Sequence, residues 1–185
     1  MNHLKATISI ITIVISSHFL NGAGLPFIFP QPQEIKLSAG SFGLDSKTKV
    51  LLPQNASNAD RELAKFLVND MVDRFHMPLQ TQVVSEIPAN TNNIVMGTID
   101  NPLIKSYCQA RNIDVTSKSP GKEGYVLIVE NKAVIIAGWD EAGAFYGLQS
   151  LRQLISKQEQ FQIPCLKVRD WPSYEFRGVR LFVPG

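Results

Sequence analysis

The chain has 185 residues, of which 44% are apolar and 18% are charged. This composition is typical of a globular domain and excludes a disordered, collagen-like or coiled-coil protein. With 18 basic and 16 acidic residues the formal net charge is +2, which indicates neither a nucleic-acid-binding surface nor a polybasic membrane patch. The length is sufficient for one domain with a full hydrophobic core.

The first 23 residues have the pattern of a secretory signal peptide. Residues 1–5 carry one positive charge, an isoleucine-rich stretch follows, and residues 21–24 are small and suited to cleavage. An uncleaved membrane anchor is the alternative, but the apolar stretch is shorter than the roughly 20 residues of a spanning helix. We expect residues 1–23 to be removed, which predicts a secreted or periplasmic protein without membrane contact.

The first half of the mature chain predicts four strands and one long helix. Ser57 and Asp60 have the spacing of a capping box at a helix start, and Pro78 ends the apolar periodicity that follows. Strand-like segments cover residues 34–44, 49–52, 80–84 and 94–97, the first as one strand or as a hairpin with turns at Gly40 and Gly43. The predicted core face of the helix consists of Ala59, Leu63, Phe66, Leu67, Met71 and Phe75.

The second half predicts two further helices beside two central strands. Asn101 followed by Pro102 indicates the start of a short helix, and Asp140 is suited to cap a third one. Residues 125–129 and 133–137 are apolar without alternation, which predicts strands that are buried on both faces. The predicted core face of the third helix consists of Ala144, Phe145, Leu148, Leu151, Leu154 and Ile155.

A last strand at residues 163–168 completes the order of elements. Gly143 and Gly147 lie on one side of the third helix, and we expect that side to approach the sheet closely, since glycine inside a helix is otherwise unfavourable. The mixture of strands and helices predicts an α+β fold, an α/β sandwich in which helices pack on a mixed β-sheet.

The sequence lacks the common signatures of metal and nucleophile chemistry. It contains no HExxH or CxxC motif, and after removal of the leader His76 is its single histidine. A zinc site needs three or four suitable ligands, so we expect no metal and no cofactor, and we interpret His76 as a surface or helix-capping residue. Cys108 and Cys165 are interpreted as buried apolar thiols, with a disulfide as the alternative.

Asp140 and Glu141 are the tempting pair of carboxylates for acid–base chemistry. Adjacent residues at a helix start point in different directions, and acidic residues are favoured there by the free N–H groups and the helix dipole. We therefore interpret both as structural and predict no catalytic residue in residues 25–170.

Two blocks late in the chain resemble a known family. Residues 142–154, AGAFYGLQSLRQL, and residues 170–179, DWPSYEFRGV, together resemble the family-twenty glycoside hydrolases, the β-N-acetylhexosaminidases. The first block is similar to the N-terminal non-catalytic domain of these enzymes. The second leads into residues 176–179, which are similar to the opening strand of their catalytic (β/α)8 barrel.

The resemblance implies domain limits, a fold and an activity. Residues 25–170 would form a zincin-like α/β domain, and residues 171–185 a linker and the first strand of a barrel that is otherwise absent. The implied partner is that barrel, which removes terminal β-linked N-acetylhexosamine from glycans. In the family an Asp–Glu pair on the barrel acts together with the substrate's own acetamido group. Because the pair is not here, we expect the chain alone to be inactive.

Arg177 is the single site residue that the resemblance supplies. It matches a strand-one arginine that hydrogen-bonds the hydroxyls of the terminal sugar, and its guanidinium fork suits paired hydroxyls. The alternative is an arginine that pairs with an acid of the barrel. Phe182 stands where the family usually has an aspartate, which leaves the subfamily open.

Other functions remain open from the sequence. One alternative is a free-standing structural or carbohydrate-binding module, which stacked aromatic residues on an exposed face would favour. Trp139 and Trp171 are the tryptophan candidates, and their positions suggest packing. Another alternative is the front domain of an O-GlcNAcase/hyaluronidase-type or α-glucuronidase-type enzyme.

Overall fold

A computed structural model of the chain describes residues 28–155, 161–174 and 178. The predicted signal peptide, Arg177 and, apart from Gly178, the predicted barrel strand lie outside the described residues. The strands are β1 (Glu34–Gly43), β2 (Lys49–Pro53), β3 (Gln80–Val84), β4 (Asn93–Thr98), β5 (Tyr125–Val129), β6 (Ala133–Gly138) and β7 (Gln162–Asp170), and the helices are α1 (Asn58–Phe75), α2 (Pro102–Ala110) and α3 (Glu141–Leu154).

The seven strands form one mixed sheet in the order β1-β7-β5-β6-β4-β2-β3. β2 is parallel to both β3 and β4, and β4 is parallel to β6. β5 is antiparallel to β6 and to β7, and β7 is antiparallel to β1. The predicted α+β fold with a mixed sheet is therefore confirmed.

The helices cover the two faces of the sheet unequally. α1 and α3 pack together on one face, where their buried residues form the larger hydrophobic cluster with alternate residues of the strands. The nine-residue α2 packs on the other face, mainly over β4, β2 and β6. Because β5 and β6 lie between these layers, all their residues are buried, as the absence of alternation predicts.

The helix starts follow the predicted capping residues. Ser57 and Asp60 form the reciprocal capping box of α1. Asn101 accepts a hydrogen bond from the Leu103 amide at the start of α2, and Asp140 caps α3. These side chains satisfy backbone donors that a helix start leaves unpaired.

The segment 34–43 is a single strand, not a hairpin. Its pairing with β7 shifts register between Leu37 and Ser41. Gly40 lies inside this irregularity with a φ of +100°, a conformation that glycine adopts without strain. The glycine that suggested a turn therefore forms a bulge in an edge strand.

Gly147 faces the sheet, as predicted, whereas Gly143 faces the segment just before β5. A Cβ atom on Gly147 would lie 2.5 Å from Cγ2 of Ile136 and 3.0 Å from Cδ2 of Tyr125. A Cβ atom on Gly143 would collide with the carbonyl oxygen of Gly124. The backbone of α3 therefore lies close to the sheet at Gly147 and close to the segment before β5 at Gly143.

The prediction of burial in the core is wrong for two residues. Phe66 of α1 is 40% exposed and Phe145 of α3 is 41% exposed. Successive helical residues point about 100° apart, and the centre of each buried stripe is occupied by Leu67 and Ala144, which are fully buried. Phe66 and Phe145 flank those stripes and lie on the outer side of the helix pair.

No helix among the described residues combines the length and the apolar character that crossing a membrane requires.

Candidate functional site

The carboxylates of Asp140 and Glu141 lie in different environments. The two Asp140 oxygens accept hydrogen bonds from the Gly143 amide at 2.8 Å and from the Glu123 amide at 2.9 Å. Asp140 thus joins α3 to the segment before β5. Glu141 is exposed in the first turn of α3, and this arrangement supports the structural interpretation of both residues.

The other candidates for chemistry have structural positions as well. His76 is the exposed C-cap of α1 in a left-handed conformation, with a φ of 55°. Cys108 and Cys165 are free and buried, and burial raises the pKa of both thiols. No group of three or more His, Cys, Asp or Glu side chains suited to a metal ion occurs in the described part of the chain.

One groove of about 350 Å³ lies where the chain leaves β7. We call it the exit groove. It is lined by residues 29–33, by one side of α3 and by residues 170–173. Two hydrogen bonds of Gln33 hold these segments together. Its backbone N–H donates to Asp170 Oδ1 at 3.1 Å, and its side-chain Nε2 donates to Ser173 Oγ at 2.6 Å. The start and the end of the described domain therefore meet here.

The floor of the exit groove contains a buried donor without a partner. Gln149 Oε1 accepts a hydrogen bond from Arg152 Nη1 at 2.6 Å, which fixes the orientation of the amide. Its Nε2 is buried and has no hydrogen-bond partner among the described residues. Buried amides are normally satisfied, so this position is suited to an acceptor from outside the domain.

An aromatic surface adjoins the exit groove along α1 and α3. It consists of Phe66, Phe145 and Tyr146, which are 40%, 41% and 38% exposed. The ring centroids of Phe66 and Phe145 are 6.0 Å apart, and those of Phe145 and Tyr146 are 6.2 Å apart. Tyr146 also lines the exit groove. Tyr146 thus joins the apolar aromatic surface to a groove of mixed polarity, and an exposed apolar patch with a polar rim is typical of an interaction site.

A charged cluster fixes α1 against α3 beside this surface. Asp70 of α1 pairs with Arg74 at 3.0 Å on the same helix and with Arg152 of α3. Burial alone would raise the pKa of Asp70, but hydrogen bonds and attraction from the two guanidinium groups lower it below its ordinary value. The Arg152 guanidinium also lies 4.9 Å from the centroid of the Phe66 ring, so the cluster helps to position the aromatic surface.

Sequence reasoning missed this surface. The sequence does contain a signal for it, namely two adjacent aromatic residues, Phe145 and Tyr146, next to the glycine-lined side of α3. A helix that already buries Gly143, Ala144, Gly147 and Leu148 on one side cannot bury both aromatic residues there. The two large aromatic residues therefore lie on the remaining side and are partly exposed.

Residues 25–171 match the model of the family described as "Glycosyl hydrolase family 20, domain 2". The chain belongs to this family. The predicted resemblance to the family-twenty glycoside hydrolases is therefore confirmed for the front domain.

A longer curated relative is similar to most of this chain. The chain is 27% identical over 165 residues to a beta-hexosaminidase of Porphyromonas gingivalis, a match that covers 84% of this chain and 18% of the relative. The chain thus spans less than a fifth of the length of that enzyme.

Solved structures agree on the fold. The structure of CpGH84D has a TM-score of 0.67 at 20% identity, covering 82% of this chain and 25% of that one. A β-N-acetylhexosaminidase from Bacteroides fragilis has a TM-score of 0.54 at 21% identity, covering 80% of this chain and 25% of that one. At these identities the two likenesses establish the architecture alone.

Proposed function

We propose that this chain is the non-catalytic front domain of an exported glycoside hydrolase that removes terminal β-linked N-acetylhexosamine, and that it supports a (β/α)8 catalytic barrel. The observation that carries the proposal is the aromatic surface beside the exit groove. The exit groove lies where the chain leaves β7, and Tyr146 joins the groove to the aromatic surface, so a domain that follows β7 would reach both. The family match and the length of the Porphyromonas gingivalis relative support the presence of such a domain.

The aromatic surface has the chemistry of an interface between domains. Phe66, Phe145 and Tyr146 supply apolar area, the Gln149 amide supplies a donor, and Arg152 supplies a fixed charge nearby. Aromatic residues and arginine are enriched in protein interfaces. Covering this surface would remove exposed aromatic side chains from water and give the Gln149 donor an acceptor.

The same residues argue against a free-standing carbohydrate-binding module. A flat platform for sugar rings needs aromatic faces in a common plane. Here Phe145 is inclined by 71° to Phe66 and by 60° to Tyr146. Rings with three different orientations fit an irregular protein surface better than a sugar chain.

The remaining parts of the proposal follow the sequence. Residues 1–23 would direct export and be removed, residues 25–170 would form the front domain, and residues 171–185 would form the linker and the first barrel strand. On that strand Arg177 would hydrogen-bond the hydroxyls of the terminal sugar. Catalysis would come from a barrel outside this chain, with no cofactor.

A chimaera tests the supporting role. The stretch of the Porphyromonas gingivalis beta-hexosaminidase that matches this chain is replaced by this chain's residues, and release of nitrophenol from an aryl β-N-acetylglucosaminide is measured after heating. We expect an active chimaera, in which Phe145→Glu lowers the temperature at which activity is lost. In the isolated chain the same change should lower the melting temperature less than it lowers the inactivation temperature of the chimaera, because Phe145 is already 41% exposed there.

Lys105→Glu is the control, because it introduces the same residue on the exposed side of α2, across the sheet, and changes the net charge by even more. It should leave heat inactivation of the chimaera unchanged. Equal inactivation temperatures for the Phe145 and Lys105 variants would contradict the proposed interface, and so would a chimaera that is inactive under conditions in which the parent enzyme works.

A further inference from the structure

The face of the sheet that α2 covers contains a second cleft, away from the aromatic surface. It has a volume of about 460 Å³. It opens between the last turn of α2, the bulge of β1 and the turn that joins β5 to β6. We call it the α2 cleft, and Tyr107, Arg111, Ile128, Glu130 and Lys167 line it.

A buried hydroxyl without a partner lies in the α2 cleft. Tyr107 is 6% exposed, and its hydroxyl makes no hydrogen bond with any described residue. Burial, and after it the nearby Glu130 carboxylate, raise the pKa of Tyr107 far above its ordinary value. The hydroxyl therefore remains protonated, and the nearby Glu130 carboxylate is the acceptor group that acts on it.

Arg111 is held in position at the mouth of the cleft. Its guanidinium carbon lies 3.9 Å from the centroid of the Tyr107 ring, and its Nε lies 3.4 Å from Glu130 Oε1. This contact is its sole ion pair within the described ranges. The stacked geometry and the single contact leave the terminal Nη groups of Arg111 available for a ligand.

Lys167 adds an unpaired cation in the wall of the cleft. It is half-buried in β7. It lies opposite Lys36 of β1 on one side and opposite Ile128 of β5 on the other. Like charges at directly opposite positions of antiparallel strands repel each other. Neither lysine forms an ion pair in the part of the chain that the structure describes. An anion between these groups would relieve the repulsion.

The chemistry of the α2 cleft is that of a site for a small hydroxylated anion. Tyr107, Arg111 and Lys167 are three donors, of which two are cationic. Glu130 offers an acceptor for a hydroxyl group, and Ile128 offers an apolar contact for ring C–H groups. The volume lies within the range of small-molecule pockets. We propose that the α2 cleft binds a carboxylate-bearing sugar, whose carboxylate is held by Arg111 and Lys167.

The proposal is independent of the front-domain role and is tested on the complete 185-residue chain. The ¹⁵N-labelled protein is titrated with sodium glucuronate, and the amide signals of Tyr107, Arg111 and Lys167 are followed. We expect saturable shifts with glucuronate, much weaker binding of acetate, and no binding of the neutral sugar glucose. Absent or non-saturable shifts, or equal affinities for glucuronate and glucose, would overturn the proposal. Equal affinities for glucuronate and acetate would overturn the sugar assignment.

Two variants locate the binding. Lys167→Met should weaken glucuronate binding about tenfold, and Tyr107→Phe about threefold, in line with the loss of one charged and one neutral hydrogen bond. Lys105→Met, an exposed lysine of α2 outside the cleft, should leave the affinity unchanged. Both cleft variants remove groups without partners, so they should melt no lower than the wild type. Wild-type affinity in the folded Lys167→Met protein would refute the site.

Discussion

The two faces of the sheet differ in how completely the domain itself covers them. α1 and α3 bury the larger cluster, and their outer side presents the aromatic surface. On the opposite face α2 covers β4, β2 and β6, and the polar α2 cleft opens over β5 and β7. The first face carries three exposed aromatic side chains on its outer side, whereas the second opens into a cleft lined by Tyr107, Arg111 and Lys167.

Because of this contrast, substitutions at different places in the domain should affect either folding stability or the binding of another molecule. On the α1/α3 face a substitution in the interior should act on folding, and one on the outer surface should act on contact with another domain. On the α2 face the donor of Tyr107 and the charge of Lys167 contribute little to folding because they lack partners. Substitutions there should act on binding.

The largest effect is expected at the contact between α3 and the sheet. Gly147→Leu places a side chain where a Cβ atom would already lie 2.5 Å from Ile136. Overpacking of this kind costs about 3 kcal/mol at the upper end of its usual range, which should appear as a lower urea midpoint. Ala142→Leu, on the exposed side of the same helix, should change stability by less than about 0.5 kcal/mol. A Gly147 variant as stable as the Ala142 variant would show that α3 does not rest on the sheet here.

An intermediate effect is expected for the charged cluster between α1 and α3. Asp70→Asn removes the charge that pairs with Arg74 and Arg152 and should cost about 2 kcal/mol at pH 7. Because the pKa of Asp70 is lowered in the folded protein, its contribution is complete above the ordinary aspartate pKa of about 3.9. It disappears as the pH falls through the folded value.

Urea unfolding at pH 7 and at acid pH checks this dependence. The difference between wild type and Asp70→Asn should shrink below about pH 4. Asp73→Asn is the control, since Asp73 is an exposed carboxylate of the same helix. A penalty for Asp70→Asn that is the same at both pH values would show that the charge is not the stabilising feature.

The smallest effects come from one pair of tyrosines, each on a different face. Tyr125 and Ser150 share a hydrogen bond of 2.6 Å inside the α1/α3 layer, so Tyr125→Phe should cost about 1 kcal/mol. Tyr107→Phe removes a hydroxyl without a partner and should leave the free energy of unfolding unchanged within about 0.5 kcal/mol. Equal losses in thermal unfolding would indicate that the Tyr107 hydroxyl is satisfied in solution.

Local structure could be predicted because its causes are local. Ser57, Asn101 and Asp140 define helix starts through their own side chains, and the apolar runs of β5 and β6 reflect burial on both faces. The family could be recognised for the same reason, because a block of sequence specific to it occupies one continuous stretch, residues 142–154.

The strand order and the two surface sites could not be predicted in this way. β7 lies between β1 and β5, a pairing of distant segments that no periodicity encodes. The α2 cleft likewise combines residues from α2, the β5–β6 turn and β7. The exposure of Phe66 and Phe145 depends on which neighbours occupy the helix–sheet contact, and an apolar periodicity alone does not distinguish the centre of a buried stripe from its edge.

An activity measurement on the isolated chain tests the central claim most directly. The purified 185-residue protein is incubated with an aryl β-N-acetylglucosaminide, and nitrophenol release is compared with that in buffer. A non-catalytic front domain predicts no release above the buffer rate. Release that disappears in the Asp140→Asn/Glu141→Gln double variant would show that these carboxylates are catalytic after all. Release that persists in the double variant would contradict the assignment of this chain as a domain without a catalytic site.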